Sequence, residues 1–114
     1  MLFTLKNYAY FSFILPILVA GYDPNSAYDV VLMFKIILLK RFYNMSDEQC
    51  EYQINDRVSF REFLGLSSDD RVPDARTIRL FQDTLIEKNL EENLFDRFHT
   101  CLEEKGLFVN EGKS

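Results

Sequence analysis

Residues 30–43 read VVLMFKIILLKRFY, and the reading of this stretch decides the fold. It is apolar at nearly every position, with charge only at Lys35, Lys40 and Arg41. A helix that is apolar on nearly all sides is covered all round by neighbours. The stretch is therefore expected to be the central helix of a bundle. It is too short and too charged to cross a bilayer, which takes about 20 apolar residues.

Helix signals continue on both sides of it. Upstream, Ser26-Ala27-Tyr28-Asp29 has capping-box spacing, with Ser26 as the expected cap and Asp29 complementing the helix dipole. Downstream, Asn44 ends the central helix, and Ser46-Asp47-Glu48-Gln49 opens the next with a second capping box. Cys50 and Ile54 then lie one turn apart on an inward stripe. Ser59 is the expected cap of a short helix that turns Phe60, Phe63 and Leu64 inward, and Gly65 supplies its left-handed stop.

SSDDRVP, residues 67–73, is the one clear loop, because Pro73 disfavours helix at the residue before it. Asp74 caps the following helix. There Ala75, Ile78, Phe81, Leu85 and Ile86 gather on one side, and Arg76, Arg79, Leu80, Asp83 and Glu87 on the other. A last helix over residues 90–105 turns Leu94, Phe95, Phe98, Cys101 and Leu102 inward, and Gly106 closes it. No segment alternates with period two, and no Asn-Gly hairpin signal occurs. The expectation is all-α: a compact bundle of five to six helices, with only LFVN, residues 107–110, of strand character.

Composition allows one domain with a real core. The chain has 114 residues, 47% hydrophobic and 27% charged, with eleven Phe and six Tyr. Its two cysteines are too few for a disulfide framework or a zinc site, so each is expected as a buried free thiol. A net charge of −5 argues against salt-driven nucleic-acid binding by the whole surface, so any polyanion site is a local arrangement.

The start, YFSFILPILVAG at residues 10–21, admits three readings. It resembles the apolar part of a signal peptide, but it better suits an amphipathic or buried helix of the domain, kinked at Pro16, and a non-native start is a third reading.

Catalytic patterns are absent. The single histidine, His99, has no serine or thiol at an activating spacing. The sequence contains no HExxH, no Gly-rich phosphate loop and no Cys-x-x-Cys pair. The binding reading starts at Asp74. A short helix, a connection and a capped helix with arginines on its outer face form a helix-turn-helix-like layout. Arg76 and Arg79 can reach phosphates or a guanine edge, with Thr77 and the helix amides adding phosphate contacts. Arg57, Arg61 and Arg71 extend the patch if the fold brings them round. Against this stands an ordinary surface pair, Arg79 with Asp83 at i,i+4, and a connection longer than the usual tight turn.

Four stretches carry a wider resemblance: YDVVLMFK (28–35), YNMSDEQ (43–49), YQINDRVSFREFLGL (52–66) and VPDARTIRLF (72–81). Their order and spacing resemble the InsH-type (IS-five-like) N-terminal domain of bacterial insertion-sequence transposases of the DDE class. The resemblance covers residues 13–106 as the helical domain, with residues 1–12 as an atypical extension. It makes FILPILVAGYDP the family's first helix, which weighs against a signal peptide.

In that family the domain precedes a ribonuclease-H-like catalytic domain whose three carboxylates hold two divalent metals. The resemblance implies that residues 107–114 begin that domain and that the chain is a truncated transposase stopping before the first catalytic aspartate. It also implies no catalytic residue, metal or cofactor in this chain. The partners implied are DNA at the element's terminal inverted repeats and a second transposase copy, as homodimer or with the full-length enzyme. The place implied is the bacterial cytoplasm and nucleoid, with no membrane. The alternatives are a module that only associates with full-length transposase, and a decayed remnant. The tail at residues 107–110 is expected to fray for want of sheet partners.

Overall fold

The structure, a computed structural model, describes residues 28–104 of the chain. Among these residues the chain forms helices and no strands: α1 (Val30–Phe42), α2 (Asp47–Asp56), α3 (Val58–Leu64), α4 (Ala75–Glu87) and α5 (Glu91–Glu104). The all-α expectation holds. The expected first helix around Pro16 and the strand-like tail lie outside the described residues.

Helix α1 is the centre of the bundle. Nine of its thirteen residues are buried, and it packs against α2, α3 and α4. Phe34, fully buried, meets Phe95 and Phe98 of α5 with ring centroids 5.6 and 6.2 Å apart. Its charged residues divide. Arg41 is exposed and Lys40 half-buried, but Lys35, only 5% exposed, is drawn into the core. There its Nζ donates to the Phe63 carbonyl at 3.0 Å, in the last turn of α3, and lies 5.3 Å from the Phe63 ring centroid. A cation at a helix C-terminus satisfies a carbonyl left without an intrahelical partner. Burial pulls the Lys35 amine below its ordinary range, and the charge of Asp29 opposes that shift.

Two of the expected helix starts move. Helix α1 begins at Val30 with Asp29 as its cap: Asp29 Oδ2 accepts from the amides of Val31 (3.1 Å) and Leu32 (3.3 Å). Asp29 is thus the cap itself, in extended backbone, and not a first-turn residue behind Ser26. Helix α3 begins at Val58, and Ser59 lies inside it. Arg57, a single extended residue, is both the C-cap of α2 and the N-cap of α3, and its guanidinium has no acceptor to offer the first amides. At α2 the capping box is complete: Ser46 Oγ accepts from Gln49 N (3.1 Å) and Gln49 Oε1 from Ser46 N (2.9 Å).

Three helix ends share one device. Asn44 (φ 52°), Gly65 (φ 77°) and Asn89 (φ 59°) take the left-handed conformation. After each, the next amide reaches back to a carbonyl five residues earlier: Met45 to Lys40 (3.0 Å), Leu66 to Arg61 (2.9 Å) and Leu90 to Leu85 (2.8 Å). These are Schellman endings, for which glycine and asparagine suit the left-handed position.

The inward faces of α2 and α3 are as expected, with Cys50, Ile54, Phe60, Phe63 and Leu64 buried. On α4, Ile78, Phe81 and Leu85 are buried, but Ile86 is 52% exposed where an inward position was expected. Ile86 stands about 100° round the helix from Leu85, at the edge of the buried arc. On α5, Leu94 and Phe98 are buried and Phe95 packs against the core. The side chains of Cys101 and Leu102 lie outside the described residues.

Candidate nucleic-acid interface

The start of α4 is built from two elements. Asp74 Oδ1 accepts from Thr77 N at 2.9 Å. Hydrogen bonding from Thr77 holds the Asp74 carboxyl below its ordinary range, and the charges of Arg76 and Arg71 add to the effect. From α2, Glu51 Oε1 accepts from Ala75 N at 2.8 Å. Two carboxylates therefore occupy the helix end where the sequence suggested phosphate contacts. Two of the first amides, those of Ala75 and Thr77, are engaged inside the protein.

The six residues read as DNA contacts separate into two groups. Arg61, Thr77 and Arg79 are engaged internally. Arg61 Nη2 donates to the carbonyls of Ser67 (2.8 Å) and Asp70 (2.9 Å), fastening the loop that leads to α4. Asp70 closes that loop through its Oδ2, which accepts from Ser67 N at 2.8 Å. Arg79 does not pair with Asp83 as the spacing suggested. It reaches across to the start of α2, with Nε 3.2 Å from Asp47 Oδ2 and Nη2 2.9 Å from Glu48 Oε2. Asp47 also holds Lys40 of α1 (2.8 Å). Lys40 donates to Gln82 Oε1, and Gln82 donates to Glu91 Oε2 (2.7 Å). One polar chain thus links α1, α2, α4 and α5.

The other group faces outward. Arg71 and Arg76 are exposed on either side of Pro73 and Asp74, and no hydrogen bond or ion pair among the described residues engages either guanidinium. Arg57 is exposed at the corner between α2 and α3, with its guanidinium 5.4 Å from the Phe60 ring centroid and its Nε donating to Gln53 Oε1 at 2.6 Å.

Sequence reasoning passed over the cleft at that corner. It has a volume of about 270 Å³ and lies between the α1–α2 turn, α2 and α3. A faint signal was there: Gln49 and Gln53 lie one turn apart on α2, and Arg57 follows four residues later at its cap. Elsewhere, His99 stands on the exposed face of α5 with Nδ1 3.6 Å from Glu103 Oε2. Among the described residues, no three His, Cys, Asp or Glu side chains are placed to hold a metal ion. Among them, too, no helix is long and apolar enough to cross a membrane.

The family model described as Transposase domain (DUF772) matches residues 2–84. That span takes in α1, α2, α3 and most of α4, and it begins inside the segment that the resemblance set apart as an extension. No solved structure matches the chain. By a match over most of its length, the chain belongs to the Transposase domain (DUF772) family.

Proposed function

We propose that this chain is the DNA-binding and dimerisation domain of an InsH-type DDE transposase. It engages the terminal inverted repeats of the element in the bacterial cytoplasm and performs no strand chemistry itself. The transposase-domain match over residues 2–84 carries this reading. Geometry supports a division of labour within it. Arg71 and Arg76, exposed at the head of α4, meet the duplex. Arg61 and Arg79 hold the loop and the helix pair that present them.

Electrophoretic mobility shift against the element's terminal repeat, with scrambled duplex as control, tests the proposal. The repeat binds more tightly, and Arg71→Ala with Arg76→Ala weakens both by about 1–3 kcal/mol per lost contact. Equal affinity for both duplexes, unmoved by the double substitution, removes the DNA-reading role.

A second reading has one observation in its favour. Leu80, 54% exposed on the outer face of α4, is an apolar side chain available to a second transposase chain. Helix α1, by contrast, is spent inside the domain and leaves little face for association. Sedimentation with full-length transposase distinguishes the two: co-sedimentation lost on Leu80→Glu, without DNA affinity, favours the association module.

A further inference from the structure

Four exposed residues of α4, Arg76, Leu80, Asp83 and Glu87, follow at steps of four, three and four. They form one stripe opposite the buried Ile78, Phe81 and Leu85. The charges on this stripe run against the helix. A helix is positive at its start and negative at its finish, so acids suit the first turn and bases the last. Here Arg76 stands in a first turn that holds no acid, and Glu87 in a last turn that holds no base. Lys88, the C-cap, lies about 100° round from Glu87 and off the stripe. Among the described residues, no hydrogen bond or ion pair engages the side chains of Arg76, Asp83 or Glu87. Within one copy the arrangement is unfavourable to the helix, although Asp74 lies near Arg76.

A second copy of the same helix, laid antiparallel, complements the pattern. A two-fold axis that sets Arg76 against Glu87 of the second copy also sets Glu87 against its Arg76. The two Leu80 side chains then meet beside the axis, about 4.5 Å apart along the helix direction. A parallel pairing would instead oppose Arg76 to Arg76 and Glu87 to Glu87. We propose that α4 pairs antiparallel with α4 of a second copy through Arg76, Leu80 and Glu87, and that this pairing covers the arginine assigned to the duplex. The masking rests on the DNA-binding reading, whereas the pairing rests on the charge pattern. One helix face is smaller than the roughly 1,200 Å² that a stable complex buries, so the pair is weak. Arg76 is therefore held back in the concentrated free chain, and a duplex competes for it.

Sedimentation of the full chain from about 5 to 500 μM tests the pairing, a range that brackets the affinity of so small a contact. The parent dimerises within it. Arg76→Glu opposes acid to acid and Glu87→Arg opposes base to base, and each weakens self-association by about tenfold or more. Mixed in equal amounts, the two variants pair with each other, because every charge again meets its opposite. Each substitution puts the favoured sign at its helix end, so far-UV circular dichroism is kept and the urea midpoint does not fall. That separates lost pairing from lost fold. A parent that stays monomeric throughout overturns the proposal and leaves the face to DNA alone. Self-association that neither variant weakens, or a mixture that stays monomeric, overturns it too. On a duplex carrying one terminal repeat, the parent sediments as one copy per duplex at concentrations where the free chain is dimeric. Two copies per duplex, still dependent on the charge swap, overturns the masking. Pairing that follows the swap while no duplex is bound upholds the interface and removes the DNA reading.

Discussion

Arg76 and Arg79 stand less than one turn apart on α4, and the fold gives them opposite tasks. Arg79 bridges Asp47 and Glu48 of α2, whereas Arg76 stands in solvent beside the Asp74 cap. The more enclosed member of the network is Asp47, 14% exposed at its side chain and holding both Lys40 and Arg79. Hydrogen bonds to charged groups are worth about 1.5–3 kcal/mol, so Asp47→Ala is expected to lower stability by roughly that amount. Arg76→Ala, which touches no such network, is expected to stay within about 0.5 kcal/mol of the parent chain. Urea unfolding of the two variants checks this, and similar losses in both would contradict the division. The sequence could not show it. Arg79 has a nearer acid at Asp83, and local spacing favours that pair. The partners it takes lie 31 and 32 residues away and become neighbours only when α2 and α4 pack. The caps at Ser46 and Asp74 and the stop at Gly65, by contrast, were legible because each depends on groups within four residues.

Among the elements, α1 carries most of the core. Phe34 is fully buried and supplies the ring contacts that seat α5, so Phe34→Ala leaves a cavity at the junction of two helices. A loss of about 3–5 kcal/mol is expected, read as a lower urea midpoint. Amide exchange should show α5 loosening most. The central place of α1 was plain from its composition, since a helix apolar on nearly all sides has to be covered. The burial of Lys35 was not, because the carbonyl that draws it in belongs to α3, 28 residues on. Cys50 gives the helix pair α1–α2 a pH signature. Its thiol donates to the Ile36 carbonyl at 3.9 Å, and burial pushes its pKa up from 9.0 to about 11, with Asp47 adding and Lys40 opposing. The folded state then holds the proton more tightly than the unfolded chain. The stabilisation is complete below about pH 9 and is lost as pH rises toward 11. In Cys50→Ala the decline of the urea midpoint across that window should be shallower. A decline as steep as the parent's would assign it to other groups.

At the scale of the whole molecule, a net charge of −5 sets the problem for DNA binding. Acidic residues outnumber basic ones, and the head of α4 is itself closed by Glu51 and Asp74. The surface as a whole repels a duplex, so affinity has to come from a few aimed cations, and the number of those cations is measurable. Each neutralised phosphate contributes about −0.9 to the slope of log affinity against log salt. If Arg71 and Arg76 are the contacts, one copy gives a slope of roughly −2, and two copies on paired inverted repeats give roughly −4. A salt titration by fluorescence anisotropy on a single repeat and on a paired-repeat duplex distinguishes these cases. Arg76→Ala should flatten the slope by about 1 for each bound copy. A slope near zero on both duplexes would remove electrostatic contact from the account. A single-repeat slope well steeper than −2 that is unmoved by Arg76→Ala would place the contacts on other cations of the chain. The doubling on the paired repeat is the informative outcome, because it reports dimeric engagement of DNA without relying on any dimer contact in the free protein.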